Sequence, residues 1–402
     1  LGRVCDALFV LTAVILSLWM LLRVRTGLLI DDWDGYVDYL YNYSGGFIRR
    51  GLTGEILFFL KDVTGIRPVC VSYVVSLAAW LFTLLYTIRM FIKRGHALNV
   101  LIMGFMLGAP LMVPVSYLRR DYIEITFFIL VIYLHNRMPL RCWLVLSNLV
   151  AVVAILLHEA TFFFFVPVCV LLTNTRYGSM TKSVLAWFAP ILAFLACCLF
   201  KGTPEMLPPI CHRIIQYAPE ALPDNQIPFL LKFIGADAGD VMSLHFRYNF
   251  TNIFHESIPV PMAFVIVPYW ILMPYSAVCM IKVYNRKNLG AKSQNALVAL
   301  VVFQFVMLLP MFTVLSCDIL RVGIYWMMSS TIIWLSLSSE HVESMFSGRF
   351  KIIAERISAV CFNRWLPGKT VLTLFMLFLG IPVWVGGPEY IIRAMLIVRV
   401  AE

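Results

Sequence analysis

The chain has 402 residues, 61% hydrophobic and 13% charged, with a mean hydropathy of +0.86. A soluble domain carries roughly a quarter charged residues, so one water-surrounded core cannot hide this apolar excess, and lipid must solvate much of it. The net charge of +10 does not mark a nucleic-acid binder, because the basic residues are spread over short loops rather than gathered in one patch.

A membrane-crossing helix needs about 20 apolar residues, fewer if its ends snorkel, and on that measure about eleven spans are expected. In chain order they are 7–29, 69–92, 97–117, 121–135, 141–157, 160–174, 183–200, 260–282, 296–316, 320–338 and 369–386. The first run lacks a small-residue cleavage site and reads as a retained helix rather than a signal peptide. With the N-terminus in the cytoplasm, the inward loops 88–96, 135–141, 174–182, 282–292 and 339–369 are each net basic, and the rest of the chain is net acidic. That is the positive-inside pattern. Two extracytoplasmic segments are long, 31–68 and 201–258. The second is rich in proline (Pro204, Pro208, Pro209, Pro219, Pro223, Pro228) and reads as a partly helical lid on the membrane surface. Segment 339–369 is amphipathic and reads as interfacial on the inner side. The expected architecture is therefore an all-α polytopic membrane protein, a single integral domain over 1–402, with interfacial helices in its long loops.

Most of the ten cysteines sit in apolar runs and act as small hydrophobes, and no metal-ligand spacing appears. Cys211 and Cys317 are expected outside, where a disulfide between them stays open. Two sequons, at Asn42 and Asn249, are also expected outside, with Asn249 a candidate sugar contact.

Ionisable groups near bilayer depth are costly and mark function by default. They form five clusters, all on the expected outer side. Asp31, Asp32 and Asp34, followed by Tyr36, place three carboxylates at the membrane surface. They suit a general base with a raised pKa, a divalent cation (Mg or Mn) held by oxygen ligands, or a solvated acidic turn. Arg49 and Arg50 lie among glycines in Gly45-Gly46-Phe47-Ile48-Arg49-Arg50-Gly51-Leu52. Guanidinium forks pair with phosphate oxygens and glycine permits close backbone approach, so this segment is a phosphate clamp or a headgroup anchor. Arg119, Arg120 and Asp121, with Glu124 beyond, occupy a tight turn, either as an ion pair with a second arginine left for phosphate or as a structural pair. His158-Glu159 lies between two apolar runs and suits proton transfer, a sugar contact, metal ligation or a helix-end pair. Asp318 and Arg321, three apart on one helical face, form either an ion pair or an oriented phosphate ligand. Their common side points to one anionic ligand with acid/base chemistry beside it.

This layout resembles the GT-C class of membrane glycosyltransferases. In that class a long extracytoplasmic loop follows the first helix, an acidic residue near its start is catalytic base or metal ligand, and basic residues hold the phosphate of a polyprenyl-phosphate-linked sugar. The resemblance implies that one of Asp31, Asp32 and Asp34 activates an acceptor hydroxyl. The chain also resembles a group of bacterial envelope proteins with a Phe-Ile/Val-Arg-Arg-Gly-Leu segment, a His-Glu pair before an aromatic helix and a late Asp…Arg, here Phe47 to Leu52, His158-Glu159 and Asp318…Arg321. The expected function is glycosyl transfer outside a bacterial inner membrane, from a polyprenyl-phosphate-linked sugar to a glycan or glycolipid acceptor. The expected catalytic residues are Asp31, Asp32, Asp34, His158 and Glu159. The expected substrate and phosphate ligands are Arg49, Arg50, Arg119, Arg120, Asp121, Asp318, Arg321 and Tyr36. Two alternatives remain: a Wzy-type O-antigen or capsule polymerase, which relies less on a loop carboxylate, and a flippase or transporter of an anionic lipid or solute. Transporters usually carry their charges near the midplane, whereas here they gather at outer helix ends.

Overall fold

The structure is a computed structural model. It describes residues 33–94, 120–200, 202–221, 290–316, 319–346 and 348–360, with short pieces at 242–243, 246, 275 and 279. Among the described residues every regular element is a helix. Among the described residues, three helices are long and apolar enough to cross a membrane, Pro68–Met90, Leu140–Leu157 and Ala291–Leu315. The expected spans 7–29, 97–117 and 369–386 lie outside the described residues, as does nearly all of 260–282.

The described residues fall into two compact units. The first holds α1 (Trp33–Leu40), α2 (Leu52–Thr64), most of α3 (Pro68–Lys93), α4 (Asp121–His135), α5 (Leu140–Leu157), α6 (Thr161–Tyr177), α7 (Met180–Leu185), α8 (Phe188–Leu199) and α9 (Leu207–Tyr217). The second holds α10 (Ala291–Pro310) with its π-helical end Met311–Leu315, α11 (Ile319–Ser336), α12 (Ser339–Met345) and α13 (Gly348–Ala359).

In the first unit, α4, α5 and α6 run up, down and up. Away from their ends, their buried faces are mostly apolar: Phe128, Ile129, Val131 and Ile132 on α4, Ala151, Ala154 and Ile155 on α5, and Phe164, Phe165 and Val168 on α6. The phenyl rings of Phe164 and Phe165 meet Phe128 edge-on, the arrangement that aromatic quadrupoles favour. α5 stops at His158, whose extended backbone (φ −158°, ψ 116°) breaks the helix. The short turn to Thr161 then reverses the chain. α6 ends on Gly178 in the left-handed region (φ 62°), which donates its N–H to the Asn174 carbonyl.

The expected continuous span 183–200 is interrupted. Trp187 is fully buried and its indole N–H donates to Thr173 Oγ1 at 2.9 Å. The Asn148 amide donates to the Ala186 carbonyl at 3.0 Å. These bonds hold the chain at the break between α7 and α8. The twelve residues of α8 reach only about 18 Å. The helical segment after α8, Pro204–Tyr217, turns through 97° relative to it.

α1, α2 and α9 form a small core of their own, with Tyr39, Leu40, Ile48, Phe58, Ile210 and Ile214 inside. Polar bonds fix its rim. Arg213 donates to both oxygens of Glu55 at 2.8 and 3.0 Å, Glu55 also accepts the Tyr43 N–H at 2.7 Å, and Lys61 donates to the Tyr217 carbonyl at 2.7 Å. The stretch 201–258, expected as a lid, thus contributes α9 as a packed wall against the loop after α1. Asn42 is fully buried and donates to the carbonyls of Leu40 and Ile210, so this sequon turns its amide inward. Asn249 lies outside the described residues. Cys211 is a buried free thiol, and Cys317 is not among the described residues.

In the second unit, α10 packs on α11, α12 and α13. The Trp326 indole donates to the Val301 carbonyl at 2.6 Å, and Ser330 to the Trp326 carbonyl at 2.7 Å. These bonds satisfy polar groups where water is excluded.

Candidate functional site

The start of α4, the end of α5 and the start of α6 lie at the same end of the first unit, because adjacent helices run antiparallel. The loop between α1 and α2 packs over that end. Three clusters that are far apart in sequence therefore meet: Arg49-Arg50, Arg120-Asp121 and His158-Glu159.

Arg50 grips Glu159 with two parallel bonds, Nε to Oε2 at 2.9 Å and Nη2 to Oε1 at 2.6 Å. This fork-to-fork geometry is the strong form of the guanidinium–carboxylate pair. Arg49 Nη1 lies 3.9 Å from the same Oε1. Burial works against the Glu159 charge. The charge of Arg50 and its hydrogen bonds, with smaller contributions from His158 and Arg49, overcome that and hold the carboxyl well below the usual carboxylate range. Glu159 is therefore an ionised partner of arginine. Arg50 holds this pair from a left-handed backbone, φ +67°, at a cost of about 1–2 kcal/mol for a residue with a Cβ.

Asp38 joins the second arginine to the first. Its Oδ2 lies 3.3 Å from Arg120 Nη2 and 3.8 Å from Arg50 Nη1. Asp38 was not singled out in the sequence, where it stands alone between Val37 and Tyr39. The available signal was its position one turn after Asp34 on α1, since i and i+4 share a helical face. Arg120 is buried, with 3% of its side chain exposed. It donates to the Leu157 carbonyl at 2.7 Å and to Thr53 Oγ1 at 3.3 Å, and its guanidinium lies 5.9 Å from the centre of the Tyr39 ring. Arg120, expected as a phosphate ligand, caps the C-terminus of α5 and ties it to α1 and α2 through these contacts.

Below this layer, Glu124 is fully buried and accepts the Thr161 hydroxyl at 2.9 Å. His158 Nδ1 lies 3.7 Å from Glu124 Oε1, and 3% of its side chain is exposed. Asp121 is also buried, at 3%, and like Glu124 it sits in the first turn of α4, where a carboxylate is favoured by the helix dipole. Tyr36, expected to touch substrate, is 7% exposed and lies in the α1–α2–α9 core.

The glycines of the Arg-Arg segment serve packing rather than phosphate approach. A Cβ on Gly45 would collide with the Met206 carbonyl oxygen, one on Gly51 with the Tyr43 ring, and one on Gly54, just past the segment, with the Tyr41 carbonyl oxygen. Gly54 uses that closeness to donate its N–H to the Tyr41 carbonyl at 3.0 Å.

What stays partly open is the upper layer: Arg49 with 34% of its side chain exposed, Asp38 with 29%, Arg50 with 22% and Glu159 with 19%. Its apolar border includes Phe47 and Phe200, whose ring centres are 6.2 Å apart. Both are exposed. Phe200 directly follows α8, whose outer stripe of Phe188, Leu192, Leu195 and Leu199 is also exposed. A guanidinium pair beside an apolar rim suits an amphiphilic anion.

No protein family, characterised protein or solved structure that was compared matches this chain.

The remaining expected residues stand apart from this account. Asp31, Asp32, Arg119 and Asp318 lie outside the described residues, and Asp34 and Arg321 are described only as helical positions on α1 and α11. Arg321 belongs to the second unit. Among the described residues, no group of three His, Cys, Asp or Glu is placed to hold a metal ion.

Proposed function

We propose that the chain is a membrane glycosyltransferase that uses a polyprenyl-phosphate-linked sugar on the extracytoplasmic side of a bacterial inner membrane. The observation that carries this reading is the upper layer of Arg49, Arg50, Glu159 and Asp38 at one helix end, beside the apolar rim of Phe47 and Phe200. The arginines hold the lipid phosphate and the rim takes the start of the lipid tail. An acceptor hydroxyl attacks the anomeric carbon, the bond from that carbon to the phosphate oxygen breaks, and the lipid phosphate leaves with the electron pair. The hydroxyl proton passes to a carboxylate of the first loop, among Asp31, Asp32, Asp34 and Asp38. A positioned base contributes about 10²–10⁴ in rate and an electrostatic donor to the leaving charge about 10²–10³.

The test is release of polyprenyl phosphate from a panel of lipid-linked sugars by the protein in nanodiscs. Arg50→Ala should lower the rate at least about 100-fold. Asn at one of the four aspartates should abolish it. One observation favours the polymerase reading instead: both carboxylates of the upper layer are engaged by arginines, which suits chemistry that leans on guanidinium groups. Full tolerance of Asn at all four aspartates, with loss at Arg50, would decide for the polymerase.

A further inference from the structure

We propose that Glu159 is a built-in competitor for the anion site, a carboxylate that occupies the fork of Arg50 until a ligand with contacts beyond its phosphate displaces it. The inference rests on the reading of Arg49 and Arg50 as a phosphate site and adds what decides which phosphates enter.

The geometry is specific. A guanidinium offers its donors in fixed edges. The Nε/Nη2 edge of Arg50 is filled by both oxygens of Glu159 at 2.9 and 2.6 Å. Its remaining nitrogen, Nη1, faces Asp38 at 3.8 Å. A phosphate that seeks the same fork must take the place of the carboxylate, because both present paired oxygens at similar spacing. Arg49 approaches the same carboxylate at 3.9 Å, so displacement would release both guanidinium groups together. Glu159 sits in the three-residue turn between α5 and α6, with His158 before it and Glu124 beneath His158.

Such a competitor has a use in a membrane. Anionic headgroups are present there in large excess, and an open arginine pair beside lipid would fill with them. An internal carboxylate at high effective concentration sets a threshold. A headgroup that offers only one phosphate does not pass it, whereas a ligand whose other parts also bind does. Glu159 is thus a specificity-determining residue that acts through Arg50.

The experiment compares binding of decyl phosphate and of inorganic phosphate to the full chain in phosphatidylcholine nanodiscs, for wild type and Glu159→Gln. The amide keeps the shape and removes the charge. Glu159→Gln should bind at least about tenfold more tightly than wild type, a size typical of coupling between linked sites. A gain confined to decyl phosphate assigns the site to a lipid headgroup, an equal gain for inorganic phosphate assigns it to a free phosphate, and either upholds the proposal. Equal or weaker binding by Glu159→Gln, with binding to wild type measurable, overturns the competitor and leaves the phosphate site standing. Absence of binding to both proteins overturns the two together. If Glu159→Gln fails to fold, Glu159→Asp keeps the charge and shortens its reach, and should still bind severalfold more tightly than wild type; an unchanged affinity overturns the proposal.

Discussion

The two ends of the α4–α5–α6 hairpin use arginine differently. At the end that carries Arg50, Arg120 and Glu159, guanidinium groups meet carboxylates, and two of those carboxylates remain partly exposed. At the opposite end, Arg176 donates to the carbonyl of His135, the last residue of α4, at 2.6 Å, and Arg137 stacks over the Tyr133 ring at 4.1 Å. The second unit repeats the second pattern, with Arg94 donating to the carbonyls of Leu335 and Leu337 at 2.9 and 2.5 Å, where α11 ends. Capping a helix C-terminus with a cation satisfies orphan carbonyls and complements the dipole, and it needs no ligand. Pairing several charges at a half-open surface costs desolvation, so the pairs are weak evidence of stabilisation by themselves. The comparison separates an end where arginines cap helices from an end where they pair with carboxylates around a half-open surface.

Arg120 stands on the boundary, because it caps the Leu157 carbonyl like the first kind and pairs with Asp38 like the second. Removing it leaves Asp38 without its nearest cation and a helix end without its cap. Arg120→Ala should destabilise the protein by about 3–5 kcal/mol, whereas Arg176→Ala, at an exposed cap, should cost about 1 kcal/mol or less. Thermal unfolding in matched detergent checks both. Equal small losses would erase the distinction between the two ends.

Acid provides a gentler probe. The Glu159 carboxyl is held below its ordinary value in the folded protein. Its pairing therefore stabilises the fold above the unfolded value of about 4.3 and is lost as pH falls through the folded one. The unfolding midpoint of wild type should drop more steeply on acidification below about pH 5 than that of Glu159→Gln. Parallel curves would mean that the pair contributes nothing to the folded state.

Much of this was legible in the sequence because it is local. The spans expected at 141–157 and 160–174 become α5 (Leu140–Leu157) and α6 (Thr161–Tyr177), since apolar runs and their breaks are written in consecutive residues. The Arg-Arg, Arg-Asp and His-Glu pairs were visible because charges at helix ends stand out against apolar neighbours. What was not legible depends on partners distant in the chain. Asp38 acquires meaning only when Arg120 arrives beside it, and Glu55 only when Arg213 does. The glycines at 45 and 51 read as ligand clearance because Met206 and the Tyr43 ring could not be foreseen above them. The break at Trp187 was hidden inside an unbroken apolar run, since the Thr173 hydroxyl that receives its indole lies on α6.

The claim that the carboxylate end faces outward can be tested with two native thiols. Cys198, at the end of α8, is exposed and lies within the electrostatic reach of Glu159 and Arg49. Cys142, in the first turn of α5, is also exposed and lies about 22 Å along that helix from the site end. In single-cysteine variants, a membrane-impermeant maleimide applied to intact cells or spheroplasts should label Cys198 at once and Cys142 only after the membrane is opened. Labelling of Cys142 with protection of Cys198 would put the carboxylate end in the cytoplasm and contradict the account.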